Sequence, residues 1–214
     1  MCTKVNEFYS KLRNMDDKEY VENFLIYNSA TVLAGHKTAS TVTLKKTGDD
    51  NYSKWIRYGR SFIEEIGLDY IELRETKESI IILIYNDDVL KDYIFEEEHH
   101  KFLINLGYSK EKNLELALEK LKERYDLYKC PHELGLFLGI PFNDVRDFME
   151  CTEKQCLLCG YWKVYNDCNT AIKIFNKYDL IKEHTVNYIL KELNSRDLAS
   201  SIKQVFYSPK KVLS

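Results

Sequence analysis

Ile80-Ile81-Ile82-Leu83-Ile84-Tyr85 is the stretch on which the reading of the fold turns. It is strand length, rich in β-branched residues and apolar at both odd and even positions. A strand with no polar face has no face to give to solvent, so the run predicts the centre of a sheet. Immediately upstream, Tyr70-Ile71-Glu72-Leu73-Arg74 alternates apolar and polar, as a half-buried strand does, and Thr76-Lys77-Glu78 supplies a polar turn. The two segments read as a hairpin.

Helical periods dominate on both sides of it. The first 28 residues carry Phe8, Leu12, Tyr20, Phe24 and Leu25 near helical spacing, with a break at Asp16. Thr31 to Leu44 reads as two β-prone runs around Gly35, and Lys45 to Asn51 as a turn. Trp55, Tyr58, Phe62, Ile63 and Ile66 form one stripe of a helix over 52–66 that Gly67 ends. Asp87 or Asp88 is expected to cap a short helix, a second runs over 96–106, and Ser109 precedes a third striped by Leu114, Ala117, Leu118, Leu121 and Tyr125. Pro131 suits the first turn of another helix that Gly139-Ile140-Pro141 breaks, and Asn143 caps 144–150. Residues 160–165 read as a last strand, able to insert beside 80–85, and a long helix follows from Asn166 or Asp167. After Asn194 the chain reads as a polar tail. The expectation is an α+β fold: a small, mostly antiparallel sheet packed with helices, with a helix-rich C-terminal half. Residues 1–208 are expected to form a single globular domain, and 209–214 a loose tail.

With 214 residues, the chain is long enough to bury on the order of 70% of its unfolded surface. Only 3 Pro and 8 Gly argue against a disordered or linker-dominated chain. The 31 basic and 34 acidic residues leave a net charge of −3, which removes the simple electrostatic case for nucleic-acid binding. No run approaches the ~20 apolar residues that span a bilayer, and the N-terminus lacks the pattern of a signal peptide. The expected location is therefore the cytoplasm, with the 6 cysteines as reduced thiols.

Three segments could carry chemistry. In Cys130-Pro131-His132-Glu133-Leu134-Gly135, a helix start offers free N–H groups that attract anions and acidify a thiol. His132 could shuttle a proton and Glu133 orient it, while Gly135 and Gly139 open one helix face for close approach. In Cys156-Leu157-Leu158-Cys159-Gly160-Tyr161-Trp162-Lys163, the paired cysteines suit half a metal site or a redox pair, but no second pair of this spacing exists and no metal set is assigned. Tyr161 and Trp162 could line a pocket for a planar ligand, with Lys163 pairing its acidic group. In Gly35-His36-Lys37-Thr38-Ala39-Ser40, small residues leave room for Lys37 to hold a carboxylate or phosphate, or to act with a lowered pKa if buried. His99, His100 and His184 read as solvated. No dinucleotide glycine pattern and no phosphate-binding Gly-Lys-Ser/Thr loop is present.

Three blocks together carry a family resemblance: Leu33 to Ser40, Pro131 to Val145, and Cys159 to Tyr165. On them the chain resembles the domain-of-unknown-function family 3793, proteins of anaerobic clostridia-like bacteria. It departs at Thr38, where the family pattern has Pro, and at Ile140, where it has Tyr. The resemblance implies membership and supplies no catalytic residue.

The residues themselves point to a small-molecule enzyme or carrier with a composite polar and aromatic pocket. His132, Glu133 and Cys159 are the candidate catalytic groups. Lys37, Ser40, Tyr161, Trp162 and Lys163 are the candidate ligand- or cofactor-binding groups, for a cofactor whose identity is unknown. The alternative is a non-catalytic binding protein linked to iron, haem or redox status, with His132 or Cys130 as the iron ligand. The expected partner is a small molecule, with neither nucleic acid nor membrane involved.

Overall fold

The computed structural model describes residues 2–150 and 153–207. Cys151 and the expected loose tail, 209–214, lie outside the described residues. The chain opens with α1 (Cys2–Leu12) and α2 (Asp17–Leu33). Asp16 makes the break between them by capping α2, its carboxylate accepting from the N–H groups of Lys18 and Glu19. Where two β-prone runs were expected over 31–44, α2 continues through Thr31, Val32 and Leu33. All three are buried, and that burial outweighs the weak strand preference of Thr and Val. The helix ends only at Gly35, whose φ is 68°. One strand then follows, β1 (Ala39–Lys45).

The helix over 52–66 is built in three pieces: α3 (Asn51–Lys54), a π-helical turn (Trp55–Gly59) and α4 (Arg60–Glu65). Next come β2 (Asp69–Glu75) and β3 (Ser79–Tyr85), antiparallel across the expected hairpin. β1 pairs antiparallel on the other side of β3, giving the order β1-β3-β2. The apolar run therefore lies at the centre. Ile80, Ile82 and Ile84 point into one core and Leu83 into another, with Ile81 and Tyr85 packed against the latter.

The helices divide between these two faces. The Ile82 face carries α1, α2, the Trp55–Gly59 turn and α4, together with two helices introduced below. The Leu83 face carries α5 (Asp87–Ile94), α6 (Glu97–Asn105), α7 (Leu114–Tyr128), α8 (Leu134–Phe137) and α9 (Phe142–Glu150). The caps of α5 and α7 are Asn86 and Asn113, one to four residues from the expected Asp87 or Asp88 and Ser109. His99 and His100 are buried rather than solvated: ring nitrogens face the carbonyls of Tyr93 at 2.6 Å and Ser109 at 3.2 Å.

Residues 160–165 do not join the main sheet. They form the return of a small hairpin, β4 (Leu158–Cys159) with β5 (Lys163–Val164). Both edges of β3 are already taken by β1 and β2, so no central place remains for a further strand. Asp167 caps α10 (Cys168–Leu190). The expected polar tail is instead α11 (Ser195–Phe206), which buries Leu198, Ala199 and Ile202 in the Ile82-side core. Three apolar positions within five residues sufficed for an anchoring stripe amid polar neighbours. The result is an α+β fold, a small antiparallel sheet between helical layers. Among the described residues, no helix is long and apolar enough to cross a membrane.

Candidate functional site

Buried polar groups bring the three sequence blocks together. Thr38 donates its hydroxyl hydrogen to the Phe137 carbonyl at 2.6 Å, tying the Lys37 block to the His132 block. Gly139 sits against this contact with φ 71°, and a Cβ there would meet Thr38 Oγ1 at 3.0 Å. Gly135 is equally filled, facing Val145. Both glycines permit packing, and Gly135 also lines the cleft described below. The Lys37 block meets α10 where the Tyr178 hydroxyl donates to the His36 carbonyl at 3.0 Å, and Tyr178 packs edge-on against Tyr161.

The His132 and Tyr161 blocks meet on Asp144, a buried residue of α9. Its Oδ2 accepts the Trp162 indole N–H at 2.8 Å. Its Oδ1 accepts the backbone N–H groups of Tyr165 at 2.9 Å and Asn166 at 3.1 Å, and the Asn166 side-chain amide at 2.9 Å. A carboxylate can accept several donors, and here three bonds converge on Oδ1 and one on Oδ2. Asp144 thereby fixes the β4–β5 hairpin onto α9.

Between hairpin, α9 and the 130–140 segment lies a cleft of about 430 Å³. His132, Phe148, Tyr161, Trp162 and Lys163 line it, with Leu134, Leu138 and Val145. The walls are largely apolar. His132 is exposed and meets Phe148 edge-on, with ring centroids 4.9 Å apart. The Lys163 ammonium lies over the same Phe148 ring, 5.6 Å from its centroid. Two groups able to carry positive charge thus flank one aromatic ring at an apolar recess.

The other sequence candidates stand elsewhere. Glu133 is 1% exposed and is not among the residues that line the cleft with His132. It is paired with Arg124 and accepts from the Tyr108 hydroxyl at 3.1 Å, so its carboxylate is committed within the core. Cys159 is exposed on the hairpin and is not among the cleft-lining residues. Its thiol pKa is raised, chiefly by the hydrogen bond with Cys156. Ser40 is buried in β1 opposite Ile84. Lys37 is half-buried beside α10 and outside the His132 cleft. Burial first, and then the charge of Lys182, hold its pKa down from 10.5 to about 8. No hydrogen bond or ion pair reaches its ammonium among the described residues.

The helix expected to start at Pro131 is helical only over Leu134–Phe137. The 131–136 segment is a tight turn, and the N–H groups of Leu134, Gly135 and Leu136 bond to the carbonyls of Pro131, His132 and Glu133. Cys130 and His132, read as iron ligands, both line the cleft. Among the described residues, however, no three metal-binding side chains gather. Sequence reasoning missed Asp144 and Phe148. The only signal for Asp144 was Trp162, whose indole donor needs an acceptor once buried; Phe148 lies one helical turn beyond Asp144 on the same face.

A family model described as "Protein of unknown function (DUF3793)" matches residues 25–199. All three blocks fall within that span. No curated protein and no solved structure matches the chain.

Proposed function

This chain belongs to the DUF3793 family, and from the cleft that this member builds we propose that it binds a small, flat, largely apolar molecule carrying one acidic group. The observation that carries the reading is the convergence of His132, Trp162 and Lys163, from two separated segments, on one aromatic-walled recess. An apolar recess with a few polar groups to fix orientation is the usual form of a small-molecule site. Trp162 is held rigidly by Asp144 and supplies a wall. Lys163, over Phe148, supplies the charge for the acidic group, and His132 flanks the same ring.

Binding without turnover fits the site better than catalysis. A histidine acting as general base is normally oriented by a carboxylate, and the nearest one in sequence, Glu133, is bound to Arg124. The Cys159 thiol lies outside the cleft lining. The four described thiols are unbridged, which suits a reducing compartment such as the cytoplasm.

Calorimetric titration with 1-naphthoate and with the neutral 1-naphthalenemethanol tests the proposal. The acid is expected to bind the wild type about tenfold more tightly, a difference of about 1.4 kcal/mol, and Lys163→Gln is expected to erase that preference. Equal binding of acid and alcohol by the wild type, or no binding of either, overturns it.

A further inference from the structure

Cys156 and Cys159 are both exposed on the segment that enters the β4–β5 hairpin, and their sulfurs lie 3.4 Å apart. We propose that this pair is a dithiol exchange site for low-molecular-weight disulfides, closing to a Cys156–Cys159 bridge and reopening by the reverse reaction.

Three observations support it. The sulfurs are already in contact, so the two groups that would form a bond of about 2 Å are neighbours in the reduced protein. Both thiols face solvent, where a small disulfide can reach them in line. Lys163 stands directly across from Cys159 in the hairpin register, which puts the two side chains on one face. The hydrogen bond from Cys156 raises the Cys159 thiol pKa, and the Lys163 charge offsets that only in part. The remaining described cysteines lack this arrangement. Cys130 bonds to Tyr125, and Cys168 is half-buried at the start of α10.

The chemistry balances without a further reactant. One protein thiol loses its proton and attacks a sulfur of the small disulfide RSSR. A mixed disulfide forms, the S–S bond of RSSR breaks, and the first RS⁻ leaves and takes up a proton. The second protein thiol loses its proton and attacks the protein-side sulfur of the mixed disulfide. The intramolecular bridge forms and a second RSH is released. Two electrons pass from the protein dithiol to RSSR, giving one protein disulfide and two RSH.

The test uses the reduced full chain, freed of reductant and incubated with oxidised glutathione near neutral pH, then quenched with acid, alkylated and mapped by peptide mass. The expected product has lost two hydrogens and is protected from alkylation at Cys156 and Cys159 alone, at least ~10-fold faster than Cys130 or Cys168 reacts. Cys156→Ser and Cys159→Ser should each stop at a stable mixed disulfide on the remaining sulfur, while Cys130→Ser and Cys168→Ser should close the bridge like the wild type. Accumulation of unresolved mixed disulfide in the wild type overturns the proposal, as does prior oxidation of Cys130 or Cys168.

Discussion

Asp144 accepts the Trp162 indole N–H at 2.8 Å, and through this bond and three to Tyr165 and Asn166 one carboxylate positions the whole β4–β5 hairpin. Replacing it by alanine leaves buried donors unmatched, which costs about 2–4 kcal/mol. Asp144→Ala is therefore expected to lower the unfolding free energy by that amount, with a lower denaturant midpoint, and to abolish any ligand signal at the cleft. Chemical unfolding followed by circular dichroism measures it. An unfolding free energy within about 0.5 kcal/mol of wild type would show that the hairpin is held by other contacts.

His132 and Glu133 are neighbours with opposite environments. Glu133→Ala strands the partly buried Arg124 and is expected to cost about 3–5 kcal/mol. His132→Ala removes an exposed ring with one aromatic contact and is expected to cost no more than about 1 kcal/mol. Thermal melts of the two variants side by side check the contrast, and a reversal of the order contradicts it.

Ile82→Ala empties a position at the centre of the sheet. Its side chain is fully buried, and truncation is expected to cost about 2–5 kcal/mol. Equilibrium unfolding reads this directly; a loss below 1 kcal/mol would contradict the tight packing of the Ile82-side core.

Lys37 gives a pH-dependent prediction. Its pKa falls from 10.5 to about 8 in the folded protein, so between these values the unfolded chain binds more protons and stability rises with pH. Below about pH 8 the charged ammonium destabilises the fold in full. Lys37→Met is thus expected to stabilise the protein at pH 7, by about 1–3 kcal/mol because the side chain is only half-buried, with the gain shrinking toward pH 10. Melting temperatures of variant and wild type across pH 7–10 check it. A gain that grows with pH reverses the sign and refutes the assignment.

The sheet was legible in the sequence because β3 advertises itself: a six-residue run with no polar face can only be central. α11 was not, because its three buried apolar residues are diluted by serine, lysine and arginine. Thr31 to Leu33 misled for a physical reason, since β-branched residues in a buried helix end follow tertiary packing over local preference. At the site, residue type grouped Lys37, Ser40, His132, Glu133, Cys159, Tyr161, Trp162 and Lys163, and of these only His132, Tyr161, Trp162 and Lys163 line the cleft. Residue type could not tell Glu133 from His132. Which of two adjacent residues points inward depends on the 131–136 turn, and its partner Arg124 lies on a different helix.

The most direct test of the account uses the two tryptophans. Trp162 lines the cleft, whereas Trp55 is fully buried in the Ile82-side core. Their indole N–H groups give two separate cross-peaks in a proton–nitrogen correlation spectrum, assignable through Trp162→Phe. Titration with 1-naphthoate is predicted to shift the Trp162 indole peak while the Trp55 peak stays in place, and Lys163→Gln is predicted to weaken the shift. A Trp162 peak that does not move at saturating ligand, or that moves no more than the Trp55 peak, contradicts the claim that this cleft is the binding site.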